Sequence, residues 1–198
     1  MKIVIATRNK GKAREIDNIL RGLPVDVVTL EEYPSVVLPP ETGETFRDNA
    51  LAKARAVAVA TGLPALADDS GLEVDALEGR PGVRSSRYAG ERATDRENCE
   101  LLLKEMKGVS PEKRGGRFRC ALAYVEPGGV EEVFEGSFEG SISQSPKGAG
   151  GFGYDPVFIV PDRGVTVADL GPGEKDRISH RAKALFKFRE FLKGRKKE

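Results

Sequence analysis

The sequence contains only one histidine and two cysteines, which limits the chemistry available to it. Because His180 is the only imidazole, a metal site built from several histidines is excluded, although a catalytic triad stays conceivable. Cys99 and Cys120 do not form a metal-spaced pair, so we expect two buried, reduced thiols, one in a helix and one in a strand. Carboxylates and lysines are therefore the main candidates for chemistry.

The sequence also lacks an excess of charge and any long apolar run. Its 32 lysines and arginines nearly cancel its 31 aspartates and glutamates, so it has no basic field for sequence-independent nucleic-acid binding. The N-terminal residues MKIVIATRNKGK contain one short apolar run without a secretory cleavage site, and no later run approaches a membrane span. We expect a cytoplasmic protein with a small-molecule partner and with neither a nucleic-acid nor a membrane partner.

The order of the predicted elements indicates an α/β protein, with a second half rich in strands. The length of 198 residues suits one domain or two closely joined lobes. Strands are predicted at 2–6, 25–30, 64–67 and 157–160, and as two strands of a hairpin within 117–143. Helices are predicted at 10–20, 44–61, 94–106 and 179–192, followed by a basic tail at 194–198.

The segment TRNKGK lies where the first strand ends and the first helix begins. Backbone amides and the positive end of a helix can converge there on an anion, with Lys12 as the direct phosphate contact. The candidate contacts are Thr7, Arg8, Asn9, Lys10, Gly11 and Lys12. The segment does not match the phosphate-loop pattern GxxxxGKS/T, so an ordinary polar turn is an equal alternative.

Two acidic segments offer ligands for a metal ion. Glu41 precedes a helix on which Asn49 and Lys53 share one face, a pattern that a solvated helix face also explains. Neighbouring residues of an extended chain point to opposite sides, so Asp68 and Asp69 can divide their roles. One carboxylate could face Mg²⁺ and water while the other anchors the loop, and a bare acidic turn is the alternative.

The glycine-rich segment GAGGFGYDP at 148–156 could form a slot for a purine base. Its four glycines, Gly153 among them, permit close backbone approach. The rings of Phe152 and Tyr154 offer stacking faces, and Asp155 adds a carboxylate. A glycine-rich hairpin corner explains the same residues equally well.

The segment EKDRISHR at 174–181 contains a group of hydrogen-bond donors. Ser179 fits a helix N-cap and His180 a residue of the first turn, which is the structural interpretation. Beside a base pocket, Lys175, His180 and Arg181 could instead read a keto oxygen.

Taken in order, these segments resemble the inosine triphosphate pyrophosphatase family over nearly the whole chain. The motifs are TRNKGK (7–12), ETGETFRDNALAKA (41–54), ADDSGLEVDAL (67–77), PGVRSSRYAG (81–90), GGFGYDPVF (150–158) and SHRAKAL (179–185). The resemblance implies a long twisted mixed sheet flanked by helices, with two lobes, a central active-site cleft and a homodimeric assembly. It also implies a Mg²⁺-dependent hydrolase that converts ITP, dITP and XTP to the monophosphate and pyrophosphate.

The resemblance further implies roles for individual residues. Asp69 would activate water and, together with Glu41, bind Mg²⁺, with Glu44 left open as the alternative to Glu41. The implied triphosphate contacts are Thr7, Asn9, Lys12, Lys53 and Ser70, with Arg8, Lys10, Gly11 and Asn49 beside them. The implied contacts to the base and sugar are Phe152, Gly153, Tyr154, Asp155, Lys175, His180 and Arg181.

Three other functions remain open at this point. A pyrophosphatase for ordinary or pyrimidine nucleotides would handle phosphate in the same way and differ only in its base pocket. A nucleotide sensor would bind without turnover, but it would gain little from carboxylates near the α-phosphate. A structural interaction protein would leave the FGYD segment unexplained.

Overall fold

The computed structural model describes residues 1–171 and 173–195, and it contains one mixed β-sheet with flanking helices. The strands are β1 (Lys2–Ile5), β2 (Asp26–Thr29), β3 (Ala65–Val74), β4 (Gly115–Val125), β5 (Glu131–Ile142) and β6 (Phe158–Ile159). The helices are α1 (Lys10–Leu20), α2 (Phe46–Thr61), α3 (Asp95–Glu105), α4 (Lys175–Ile178) and α5 (His180–Gly194).

The sheet has the strand order β2-β1-β3-β4-β5-β6. Strand β1 pairs in parallel with β2 and β3, whereas β5 and β6 pair antiparallel. Strands β4 and β5 are neighbours joined by a tight turn, in which the N–H of Glu126 donates to the carbonyl of Val130. The predicted hairpin and the predicted mixed sheet with flanking helices are both confirmed.

The chain divides into two compact units. The first unit comprises Met1–Asp69, Cys120–Gly136 and His180–Glu198, and the second comprises Ser70–Arg119 and Ser137–Ser179. The predicted pair of lobes with a central cleft stays a prediction. Within the predicted basic tail, residues 196–198 lie outside the described residues.

In the first unit, successive residues of β1 belong to two different apolar clusters. Ile3 and Ile5 pack with α1 and α5, whereas Val4 and Ala6 pack with α2. Because side chains alternate between the two faces of a strand, both faces of β1 are covered. Burial on both faces is typical of parallel strands and explains the unbroken apolar run in the sequence.

In the second unit, α3 packs on the apolar side chains of β3 and β4. Leu102 and Met106 are fully buried against a cluster that includes Leu72, Phe118 and Phe158. Thr94 is the N-cap of α3, because its side chain accepts from the N–H of Glu97 and the Glu97 carboxylate accepts from the N–H of Thr94. This capping box fixes the start of the helix.

Strand β3 is the element that differs most from the prediction. The sequence predicts an apolar strand at 64–67 followed by an acidic loop, but β3 continues through the acidic pair to Val74. Asp, Ser and Gly favour turns where water can solvate them. Here Asp68 and Asp69 are buried among cations, and these partners replace the solvent that a turn would provide. The predicted strand at 157–160 is shortened to Phe158–Ile159.

Within residues 1–171 and 173–195, no helix has both the length and the apolar character needed to cross a membrane. Both cysteines are buried free thiols, as predicted, with Cys99 on α3 and Cys120 on β4.

Candidate active site

Strand β3 presents Asp68 and Asp69 to different sets of partners within the first unit. Asp68 contacts Lys12 and Arg181, whereas Asp69 contacts Lys53. The predicted division between the two adjacent carboxylates therefore agrees with the alternation of side chains along an extended strand.

Asp68 lies at the centre of a buried ionic network. Its carboxylate is 2.5 Å from Lys12 Nζ and 3.2 Å from Arg181 Nε, and it accepts a hydrogen bond from Cys120 Sγ at 3.0 Å. Burial alone would raise the pKa of Asp68, but the charges of Arg181 and Lys12 outweigh it and hold the pKa well below its usual range. These cations therefore favour the ionised form of Asp68, whose carboxylate holds the Lys12 ammonium.

Asp69 lies in a second cluster with Lys53 and Glu41. Lys53 Nζ is 2.9 Å from Asp69 Oδ1 and 2.8 Å from Glu41 Oε1, and it also donates to the backbone carbonyl of Asp68 at 2.9 Å. Burial is the largest influence on Asp69 and raises its pKa, although Lys53 and Lys12 oppose that effect. A buried carboxylate with a raised pKa is a better proton acceptor than an exposed one.

Helix α2 brings Asn49 and Lys53 to one face, as the four-residue spacing predicts. The Asn49 side chain donates to Asp69 Oδ2 at 3.1 Å and accepts from the N–H of Gly43 at 2.8 Å. A Cβ atom on Gly43 would lie 2.7 Å from Asn49 Oδ1. Asn49 thus connects Asp69 to the loop that contains Glu41, and a glycine at position 43 is required for this contact.

The segment from Thr7 to Lys12 forms a capped helix start. The Thr7 hydroxyl accepts from the N–H of Asn9, and Asn9 Oδ1 accepts from the N–H of Lys12 at 3.1 Å, so Asn9 is the N-cap of α1. Arg8 donates to the carbonyl of Val36 at 2.8 Å. Asn9 therefore has a partner within the helix start and Arg8 has one 28 residues along the chain, whereas the sequence predicts phosphate contacts for both. Lys10 and Gly11 begin the helix itself.

Glu41 and Asp69 are suitable oxygen ligands for a magnesium ion. No group of three or more His, Cys, Asp or Glu residues is arranged to hold a metal in the described part of the chain. Mg²⁺ commonly takes one or two protein carboxylates and completes its shell with water and substrate phosphates, so a pair of carboxylates fits it. Glu41 is half-buried and ion-paired with Lys53, whereas Glu44 is exposed, which favours Glu41 over Glu44.

In the second unit, Phe152, Asp155 and Lys175 form a compact group. Lys175 Nζ lies 4.2 Å from the centre of the Phe152 ring and 2.5 Å from Asp155 Oδ2. The same carboxylate accepts from the N–H of Phe152 at 2.9 Å. Asp155 therefore holds the backbone of Phe152 and the Lys175 ammonium together, with the ring half-buried.

The structure places Tyr154 and Arg181 in more buried surroundings than the sequence predicts for open base contacts. Tyr154 is 4% exposed in the core of the second unit, and its hydroxyl donates to the carbonyl of Ser85 at 2.8 Å, so its ring is not an open stacking face. Arg181 is 1% exposed, and its guanidinium pairs with Asp68 and Glu15. These ion pairs give Arg181 buried partners within the first unit, and its contact to a keto oxygen stays a prediction.

The remaining predicted contacts fall in both units. His180 is buried at the start of α5 in the first unit, whereas Lys175 and Gly153 belong to the second. Ser70 is half-buried and follows Asp69 in β3. Glu15 was not predicted, although it is three residues from Lys12 on α1, a spacing that places both side chains on one face.

Comparison with known proteins identifies the family. The model of the Ham1 family matches residues 3–191. The chain belongs to the Ham1 family. It is 51% identical over 191 residues to a dITP/XTP pyrophosphatase of Geobacter sulfurreducens, covering 96% of both chains. It is 54% identical over 185 residues to a dITP/XTP pyrophosphatase of Thermus thermophilus, covering 93% of this chain and 88% of the relative.

A solved structure of a Ham1 protein from Coxiella burnetii is also similar to this chain. Its TM-score is 0.89 at 43% identity, covering 98% of this chain and 99% of the other. The family and the fold class that the ordered motifs predict are therefore confirmed for this Ham1-family chain, and its predicted enzyme class agrees with the names of its relatives.

Proposed function

We propose that this Ham1-family protein hydrolyses ITP, dITP and XTP to the nucleoside monophosphate and pyrophosphate. The observation that carries the proposal is the cluster of Glu41, Lys53 and Asp69, in which a buried carboxylate with a raised pKa adjoins a fixed ammonium group. Two relatives named dITP/XTP pyrophosphatase, which are 51% and 54% identical to this chain, support the same reaction. Removal of such nucleotides would keep them out of DNA and RNA.

The reaction requires a proton acceptor and positive charge near the triphosphate. Lys12 is fixed by Asp68, and Lys53 by Asp69 and Glu41, so both ammonium groups are held in place before substrate arrives. Asp69 accepts a proton from water as the water oxygen bonds to the α-phosphorus. The bond between the α-phosphorus and the bridging oxygen then breaks, and pyrophosphate leaves.

We propose Mg²⁺ as the metal, with Glu41 and Asp69 as its protein ligands. A bound Mg²⁺ would supply charge stabilisation for the phosphate oxygens in the manner of a Lewis acid. The donor set supports this choice, because hard carboxylate oxygens suit Mg²⁺ and the described residues provide no histidine or thiolate cluster for a softer metal. The Ser70 side chain and the helix start at Thr7 to Lys12 are the proposed further contacts to the triphosphate.

The base contacts that we propose are Phe152, Lys175 and His180. The Phe152 ring offers an aromatic face for stacking, and Lys175 is a donor held 4.2 Å from that ring's centre. Hypoxanthine and xanthine present a 6-keto oxygen that can accept from such donors. Adenine presents an amine at the same position, so a donor of the base would face a donor of the protein. A site built around such hydrogen bonds can reject a mismatched analogue by about 10⁴ or more.

We further propose that the enzyme works in the cytoplasm as a homodimer. The reduced state expected of Cys99 and Cys120 supports the location, because disulfides are rare in that compartment. Analytical ultracentrifugation tests the assembly: a species of twice the chain mass is expected, and a monomer at micromolar concentration would contradict it.

A substrate panel tests the proposed reaction. With Mg²⁺ present, ITP, dITP and XTP are expected to release pyrophosphate much faster than GTP, ATP and CTP, and chelation with EDTA should stop the release. The assay should separate pyrophosphate from orthophosphate. Orthophosphate as the only product, or equal rates with all six nucleotides, would contradict the proposal, and saturable ITP binding without product would indicate a sensor.

A further inference from the structure

In the second unit, helix α3 holds both backbone polar groups of Gly153. Asp95 Oδ2 accepts from the N–H of Gly153 at 2.7 Å, and Cys99 Sγ donates to the carbonyl of Gly153 at 3.4 Å. Asp95 and Cys99 are four residues apart on α3, so one face of the helix supplies both contacts. Neither residue belongs to the predicted substrate contacts.

The start of α3 does not depend on the Asp95 side chain. Thr94 and Glu97 form the capping box that satisfies the first amides of the helix. The Asp95 carboxylate can therefore accept from Gly153 instead. Burial, together with the nearby carboxylates of Asp95 and Asp155, raises the pKa of the Cys99 thiol to about 12. The thiol keeps its proton at neutral pH and can donate it to the Gly153 carbonyl.

Gly153 is adjacent to the proposed base contact Phe152. Its φ of 61° lies in the left-handed region that favours glycine. Two residues after Gly153, the Asp155 carboxylate accepts from the N–H of Phe152 and pairs with the Lys175 ammonium. Gly153 directly follows Phe152 in the chain, so contacts that hold the Gly153 peptide also restrain the backbone that carries the Phe152 ring.

We propose that Asp95 and Cys99 are positioning residues that set base selectivity by fixing Gly153, and hence the Phe152 ring beside Lys175. This inference rests on the proposed function, because it assumes that Phe152 and Lys175 contact the base. The two residues act through the loop and do not touch the substrate.

The test compares Asp95→Ala with Asp95→Asn and with the control Glu97→Ala, using dITP and dATP in the intact enzyme. Loss of a hydrogen bond to a charged acceptor should raise the KM for dITP about tenfold in Asp95→Ala, with kcat changed less than about twofold. As the KM for dITP rises, the preference for dITP over dATP should fall. Asparagine keeps an acceptor oxygen, so Asp95→Asn should restore most of the KM and the preference.

Glu97→Ala also removes one carboxylate from the first turn of α3, but it does not touch Gly153. It should lower the Tm and leave the KM and the preference unchanged. Inhibition by inorganic tripolyphosphate, which has no base, should be the same in every variant. If Asp95→Ala does not fold, Asp95→Ser replaces it, because a serine hydroxyl is too short to reach Gly153, and the same tenfold rise is expected.

The positioning role alone would be overturned by a KM and a preference in Asp95→Ala equal to those of an active wild-type enzyme. Equal shifts in Asp95→Ala and Glu97→Ala would overturn it as well. Weaker inhibition by tripolyphosphate in Asp95→Ala would also overturn it, because the effect would then not be confined to the base. A wild-type enzyme that releases no pyrophosphate from dITP would instead contradict the proposed function.

Discussion

Replacing Asp69 with asparagine is expected to remove most turnover while preserving nucleotide binding. Asparagine is close to aspartate in size and can still accept from Lys53, but it cannot take a proton from water. General-base assistance contributes about 10²–10⁴-fold, so kcat for dITP should fall by about that factor. The dissociation constant of dITP, measured by calorimetry, should change far less than kcat.

Two neighbouring carboxylates provide matched controls for this result. Glu44→Gln alters an exposed acid three residues from Glu41 and should leave kcat nearly unchanged, whereas Glu41→Gln should lower it. An Asp69→Asn enzyme with kcat close to wild type would refute Asp69 as the base. A large loss in Glu44→Gln without one in Glu41→Gln would move the proposed metal ligand to Glu44.

Replacing Arg181 with methionine is expected to destabilise the protein by about 3–5 kcal/mol, the cost of leaving a buried charge without its partner. Arg181 pairs with both Asp68 and Glu15. Its removal leaves Asp68 with Lys12 and takes the guanidinium from the buried Glu15 carboxylate. Methionine preserves much of the side-chain volume, so the loss of stability reflects the removed charge more than altered packing. Equilibrium urea unfolding measures it as a change in the free energy of unfolding.

The control for this variant is Arg96→Met, which removes an ion pair with Glu100 in which both side chains are exposed. Exposed pairs contribute about 0–1 kcal/mol, so Arg96→Met should unfold nearly as the wild type does. If Arg181→Met were equally stable and instead lost its preference for dITP over dATP, the base contact predicted from the sequence would be right and the structural role wrong.

Elements with local signals were predictable from the sequence. The boundaries of α1 agree with the prediction, because the polar loop before the helix and the apolar stripe of Ile16, Ile19 and Leu20 lie within one short segment. The capping box of α3 needs only Thr94 and Glu97, three residues apart. For the candidate site, the shared face of Asn49 and Lys53 follows from helical spacing alone.

Features that depend on distant partners were not predictable in this way. Asp68 and Arg181 are 113 residues apart in the chain, and no local pattern identifies Arg181 as the buried partner of Asp68 rather than as a base contact. Strand β3 continues through the acidic pair for the same reason, since cations from α1, α2 and α5 replace solvent. The burial of Tyr154 depends on packing in the core of the second unit. Its local sequence therefore does not distinguish it from an exposed stacking residue.

The most direct test of the account is hydrolysis of dITP in water enriched in ¹⁸O, with the products examined by phosphorus NMR or mass spectrometry. Attack of water on the α-phosphorus predicts one ¹⁸O atom in dIMP and none in the pyrophosphate. Label in pyrophosphate, or in orthophosphate released beside dIDP, would contradict the proposed reaction.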